Sequence, residues 1–311
     1  MDQDLLDRIL AGDARAVAQA ISMVENGVPE LEQLSRSLFP HTGRAYTIGL
    51  TGAPGVGKSS IARELVRLAR AEGRSVGVLA IDPTSPFSGG ALLGDRVRMQ
   101  EHATDPGVFI RSMATRGHLG GMALAAPEAV RILDASAKDF VIVETVGVGQ
   151  SEVEVAAATD TTLVVVAPGW GDAVQAAKAG ILEVADVFVV NKADRAGADE
   201  TVRDLEQMLR SGPELAWTPP VLLTAAAAGE GTEPLRAAIA RHREHLETTG
   251  KLETARCARL LREVETLAAE RLRGRIAGVL AAAADVAEDL ATRKTDPYAA
   301  AANLVERVLA D

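Results

Sequence analysis

The octapeptide Gly52-Ala53-Pro54-Gly55-Val56-Gly57-Lys58-Ser59 constrains this chain more than any other stretch. It fits G-x-x-x-x-G-K-[ST] and lies between a β-branched run, Tyr46–Leu50, and a helical stretch, Ile61–Ala71. Glycine permits backbone angles that side chains disfavour, so successive N–H groups can turn onto one anion. The helix that follows adds the positive end of its dipole. A strand, tight loop and helix in that order commit the surrounding chain to parallel pairing with right-handed crossovers. Lys58 is then expected to reach the β- and γ-phosphates of a nucleotide, and Ser59 to ligate Mg2+.

The rest of the chain fits such a sheet. Further apolar runs follow at Val76–Ile81, Val108–Met113, Phe140–Glu144, Thr161–Val166, Val187–Val190 and Pro220–Leu223. They are continuous rather than alternating, as expected of strands covered on both faces. Helical stretches separate them, so the fold class is α/β, a doubly wound, mainly parallel sheet. Residues 1–40 read as an N-terminal helical extension, with Gly12-Asp13 ending one helix and capping the next. Residues 41–232 read as the sheet domain. Residues 233–311 read as a C-terminal helical extension, with Leu235, Ile239 and Leu246, then Leu260, Val264 and Leu267, at helical spacing.

Asn191-Lys192-Ala193-Asp194 follows the run Val187–Val190 and presents a carboxylate at a strand's C-terminal end, where ligands gather in doubly wound sheets. Asp194 is suited to accept from guanine N1–H and N2–H2, a donor pair that adenine lacks. Lys192 is expected along the base, with Asn191 tying this loop to the phosphate loop. Backbone N–H groups of Thr224-Ala225-Ala226, after the last strand, are candidates for guanine O6.

For the metal, Glu144 ends the strand before Thr145-Val146-Gly147 and brings negative charge. Gly147 is positioned in sequence to donate its N–H to a γ-phosphate. Asp82 and Asp95 flank a Pro-, Ser- and Gly-rich stretch that reads as a switch and are candidate metal carboxylates. Val148, not Gln, follows Gly147, and no internal arginine finger can be assigned among Arg96, Arg98, Arg111 and Arg116. Slow intrinsic turnover with help from a partner is expected.

Composition removes other classes. Lys and Arg total 33 against 43 Asp and Glu, a net charge of −10 with no basic stripe, which argues against a nucleic-acid partner. A single cysteine, Cys257, allows no intrachain disulfide or Cys-based metal cage. No run of about 18 uncharged apolar residues predicts a membrane span. The start, Met1-Asp2-Gln3-Asp4, lacks a basic leader, so a cytoplasmic protein is expected. His242 and His245 share a helix face at i, i+3, read as a solvated face rather than a nickel site.

Taken together, Gly52–Ser60, the segments at residues 82–90 and 93–96, Glu144-Thr145-Val146-Gly147-Val148-Gly149-Gln150-Ser151-Glu152 and Asn191–Asp194 resemble the MeaB/ArgK group of P-loop GTPases. The resemblance covers residues from about 1 to 240. It implies a P-loop GTPase domain that binds and hydrolyses GTP, with GTP or GDP and Mg2+ as bound ligands. It extends the phosphate loop to Ser60, gives Lys58, Glu144 and Gly147 catalytic roles, and matches Ser59, Asp82, Asp95 and Glu144 to the metal. It also implies a chaperone, usually a homodimer, that gates adenosylcobalamin loading and protection of a B12-dependent mutase, typically methylmalonyl-CoA mutase. The segment Gly171–Lys178 matches that family's additional switch. No Asp-x-His-x-x-Gly motif occurs, so the cobalamin belongs on the partner. A nickel-delivering GTPase and a kinase acting on a transport-binding protein are the alternative readings.

Overall fold

In the computed structural model the apolar runs form seven strands: β1 (Tyr46–Thr51), β2 (Val76–Asp82), β3 (Val108–Ala114), β4 (Phe140–Thr145), β5 (Thr161–Val166), β6 (Val187–Asn191) and β7 (Val221–Thr224). The structure describes residues 3–82, 102, 104–114, 121–145, 155, 157–169, 184–213 and 215–310. The strands join in one sheet of order β3-β2-β4-β1-β5-β6-β7, and every pairing is parallel. The described residues form ten α-helices: α1 (Gln3–Leu10), α2 (Ala14–Asn26), α3 (Glu30–Leu38), α4 (Lys58–Ala71), α5 (Gly121–Ala135), α6 (Ala198–Ser211), α7 (Thr232–Thr248), α8 (Lys251–Ala282), α9 (Ala284–Ala291) and α10 (Pro297–Ala310).

Alternation of side chains across the sheet explains the continuous apolar runs. Val76, Val78, Ile142, Leu163, Val165, Val187 and Val189 face α4 and α7. Their neighbours Leu79, Ile81, Val141 and Val143 face α5 and the N-terminal helices, while Val164, Val166, Phe188 and Val190 face α6. Gly49 on β1 is required by a close approach, since a Cβ there would lie 2.6 Å from Thr159 Oγ1 and 2.8 Å from Val155 Cγ1.

The N-terminal helices share a core with the sheet. Leu5, Ile9, Val17 and Ile21 cluster with Ile132 and Leu133 of α5 and with Leu79 and Ile81. Gly12 turns the chain at φ +77°, and the Asp13 carboxylate caps α2 by accepting from the Ala16 N–H at 2.7 Å. By contact the chain separates into two units, residues 1–259 and 260–311. Helix α7 belongs to the first, because Leu235, Ala238 and Ile239 are buried against the sheet. So do Arg256 and Arg259, early in α8: both engage the Asp160 carboxylate, which has no exposed side-chain surface, and Arg256 also donates to Ala45 O at 2.8 Å. Burial alone would raise the Asp160 carboxyl, but the two guanidiniums and the Thr47 N–H outweigh it and hold it below its ordinary range. In the second unit Val286 and Ala300 pack between α9 and α10, and Arg307 pairs with Asp285 at 2.6 Å. Leu260, Leu261, Val264 and Leu267 are exposed along α8.

His242 departs from the solvated face expected of it. It is 3% exposed, its Nδ1 lies 2.8 Å from Thr161 Oγ1, and its Nε2 lies 3.3 Å from Asp186 Oδ1. Trp217 covers it with ring centroids 4.8 Å apart and donates its own N–H to Asp186 O at 2.8 Å. A two-histidine helical spacing does not say what lies across from it, and here it is the sheet.

Burial pushes the Asp186 carboxyl up to about 7, offset in part by the Thr162 N–H. Burial, aided by His245, pushes His242 down to about 4, with Asp160 opposing. A raised carboxyl contributes stability that is full below about pH 4 and is lost as pH rises through 7. A depressed imidazole contributes stability that is full above about pH 6.5 and is lost as pH falls through 4. The two slopes oppose each other, so this pair leaves wild-type stability nearly flat from pH 4.5 to 6.5. His242→Gln removes one slope. Its stability is expected to fall as pH rises through that range, by at most about 1.4 kcal/mol per unit relative to wild type. Urea midpoints across the range measure this, and parallel curves for the two proteins would refute it.

Candidate nucleotide-binding site

Strand order fixes where a ligand can sit. From β1 the chain crosses through α4 to β2 on one side, whereas β5 leads toward β6 and β7 on the other. Connections that diverge in this way open a crevice at the carboxyl ends of β1 and β5, the usual ligand position in such sheets.

The phosphate loop occupies that crevice. Gly52, Gly55 and Gly57 have φ of +131°, +78° and +99°. Two of them are required twice over. A Cβ on Gly52 would lie 2.1 Å from Val165 O, and one on Gly57 would lie 2.2 Å from Asn191 Nδ2. Val56 is buried and anchors the loop, while Ala53 packs against the same core. Gly57 precedes α4, whose first residue is Lys58. The Lys58 side chain turns back over the loop, and its Nζ donates to Gly52 O at 2.5 Å and Ala53 O at 3.0 Å. The ammonium is thereby held over the loop, between the Gly52 and Ala53 carbonyls.

Ser59 Oγ donates to Glu144 Oε1 at 2.7 Å, and both residues are buried. A hydroxyl and a carboxylate in contact at the head of α4 are hard oxygen donors carrying one negative charge, a donor set suited to Mg2+. The backbone of Asp82 ends β2, beside β4 in the register Ile81↔Thr145. The Asp82 side chain, Asp95, Gly147 and the segment Gly171–Lys178 lie outside the described residues.

On the other side of the crevice, Asn191 is buried and makes three bonds. Its Nδ2 donates to Val56 O at 2.8 Å, and its Oδ1 accepts from Thr224 Oγ1 and the Ala226 N–H, each at 3.1 Å. Lys192 has φ +61°, which swings its side chain toward the phosphate loop, where Nζ donates to Gly55 O at 2.5 Å. Two side chains thus stitch the two loops together. Asp194, beyond them, is exposed. The Ala225 N–H donates to Glu230 O at 3.0 Å and the Ala226 N–H goes to Asn191, so the first contacts of both amides are with the protein's own frame. The Thr224 hydroxyl bond to Asn191 gives a side-chain role to a residue that the sequence offers only for its backbone N–H.

Residues 17–280 match a family model described as methylmalonyl-CoA mutase-associated GTPase MeaB. A Pyrococcus horikoshii protein with a provisional GTPase designation is 46% identical over 310 residues, 98% of each chain. The Escherichia coli GTPase ArgK is 38% identical over 80% of this chain and 78% of its own. The mitochondrial methylmalonic aciduria type A homologue of Caenorhabditis elegans is 34% identical over 82% of this chain and 69% of its own. Among solved structures, a LAO/AO transport system kinase superposes with a TM-score of 0.72 at 25% identity, covering 99% of this chain and 97% of that one. With its phosphate loop, its Asn-Lys-x-Asp strand end and a family match across most of its length, the chain belongs to the MeaB family of GTPases.

Proposed function

We propose that this GTPase is a chaperone for an adenosylcobalamin-dependent acyl-CoA mutase, with methylmalonyl-CoA mutase the first candidate. On this reading GTP binding and hydrolysis gate cofactor loading and protect the mutase. The observation that carries it is the family match over residues 17–280, whose description names that association. The C. elegans relative, named for methylmalonic aciduria, points the same way.

Gly52–Ser60 hold the phosphates, Lys58 neutralises the β/γ oxygens, and Asp194 accepts from guanine with Lys192 along the base. Ser59 and Glu144 would hold Mg2+, joined by Asp82 and Asp95; the ion would supply charge compensation at the phosphates. Contact of guanine O6 with Thr224–Ala226 requires the Ala225 or Ala226 amide to be shared with its present acceptor. Slow turnover alone follows from Val148 standing where a water-orienting Gln would be. The exposed stripe Leu260, Val264 and Leu267 supports a homodimer built on the helices after residue 233. No described helix is long and apolar enough to cross a membrane, and the reading takes the protein as cytoplasmic.

The test is affinity capture from native extract with GDP and, separately, with a non-hydrolysable GTP analogue. Recovery of a B12-dependent mutase in one nucleotide state and not the other is the expected result. Recovery of a nickel enzyme, or transfer of labelled phosphate from GTP to a transport-binding protein, would overturn the reading.

A further inference from the structure

Nine threonines are buried among the described residues: Thr47, Thr51, Thr145, Thr159, Thr161, Thr162, Thr201, Thr224 and Thr232. Seven have a hydrogen-bond partner for the hydroxyl. The two that do not, Thr51 and Thr145, are both 0% exposed. They are also neighbours. Thr51 ends β1 and Thr145 ends β4, and these strands pair in the register Leu50↔Glu144, one residue earlier on each. Side chains alternate along a strand. Glu144 meets Ser59 of α4, and Leu50 packs in the same cluster as α4, so Thr51 and Thr145 project together toward the opposite face.

Burying a hydroxyl without a partner is costly, and valine would fill the same volume without that cost. Two adjacent unpaired hydroxyls at the ligand end of the sheet, with paired threonines elsewhere, point to a second arrangement in which they are satisfied. Each sits one residue from a group of the site: Thr51 before Gly52, Thr145 after Glu144. Any shift of either strand end on nucleotide binding would carry its threonine with it.

We propose that Thr51 and Thr145 are positioning residues for the triphosphate-bound state, their hydroxyls becoming hydrogen-bonded when GTP is seated and not when GDP is. The inference rests on the guanine-nucleotide reading of the site. It makes the pair a discriminator between the two nucleotides that touches neither.

The test uses the full chain with Thr51→Val, Thr145→Val, both together, and Thr145→Ser. Affinities for GDP and for a non-hydrolysable GTP analogue are measured by calorimetry with Mg2+, and melting is followed without nucleotide. The double valine variant is expected to melt at the wild-type temperature or about 1–3 °C above it and to keep GDP affinity within about twofold. Its affinity for the analogue is expected to fall about tenfold, equivalent to about 1.4 kcal/mol. Thr145→Ser, which keeps the hydroxyl that Thr145→Val removes, should keep wild-type discrimination. Equal losses for both nucleotides, no loss for either, or a free protein that melts several degrees lower would each overturn the proposal. Wild-type protein that binds neither nucleotide would remove the site reading and this inference with it.

Discussion

Lys58→Ala is expected to lower affinity for GTP about 100-fold and to reduce turnover by about 100- to 1,000-fold. The ammonium is buried at the head of α4 and held by Gly52 O and Ala53 O, so it reaches the anion site already oriented. A preorganised cation in a low-dielectric site is worth far more against developing phosphate charge than a solvated one. Alanine also removes two bonds that shape the loop. Lys58→Met keeps most of the stem and discards only the charge, so it separates these effects. It is expected to lose nearly as much as alanine. Calorimetric titration with Mg–GTP and single-turnover rates measure both variants, and a methionine variant within about fivefold of wild type would show that packing, not charge, is what Lys58 supplies.

Asp194→Asn is expected to weaken GTP about 100-fold or more and to favour xanthosine triphosphate instead. A carboxylate offers two acceptors, matched to guanine N1–H and N2–H2. An asparagine offers one acceptor and one donor, matched to xanthine N1–H and its C2 carbonyl. The backbone that presents residue 194 is held independently of the base: Asn191 is bonded to Val56, Thr224 and Ala226, and Lys192 to Gly55 O. The substitution therefore changes the hydrogen-bond pattern and leaves the loop's frame intact. Competition of GTP, XTP and ATP for the variant reads this out. A variant that binds GTP as the wild type does would remove Asp194 from base recognition.

The strands were legible because each is apolar on both faces, and Val76–Ile81 and Thr161–Val166 have no other reading as consistent. The apolar runs stop one residue short at six strand ends, namely Thr51, Asp82, Ala114, Thr145, Asn191 and Thr224. Polar and small residues there look like loop, although the backbone ladder continues through them. All of these ends but Ala114 adjoin the candidate site, so on the proposed reading the least hydrophobic residues of the strands are the most informative about function. The phosphate loop and the Asn-Lys-x-Asp element were legible for a different reason: their backbone angles and close approaches admit few residue types, as the +131° of Gly52 and the 2.2 Å clearance at Gly57 illustrate.

Contacts between distant segments were not legible. The apolar stripe of α1 and α2 announces a buried face but not that α5 and the sheet bury it. Asp160 gives no local sign that Arg256 and Arg259, nearly 100 residues on, will enclose it. His242 reads as surface until Trp217, Thr161 and Asp186 are brought around it. The Thr51 and Thr145 hydroxyls fall in the same class, since lack of a partner is a property of the packed molecule and not of the strand that carries it.

On the proposed reading this crevice selects a guanine nucleotide through the Asp194 carboxylate while a glycine-lined loop holds its phosphates. Direct calorimetric titration of the wild-type protein with GTP and with ATP, both with Mg2+, tests it most directly. GTP is expected to bind at least about 1,000-fold tighter than ATP. Equal affinities for the two, or no binding of either, would contradict it.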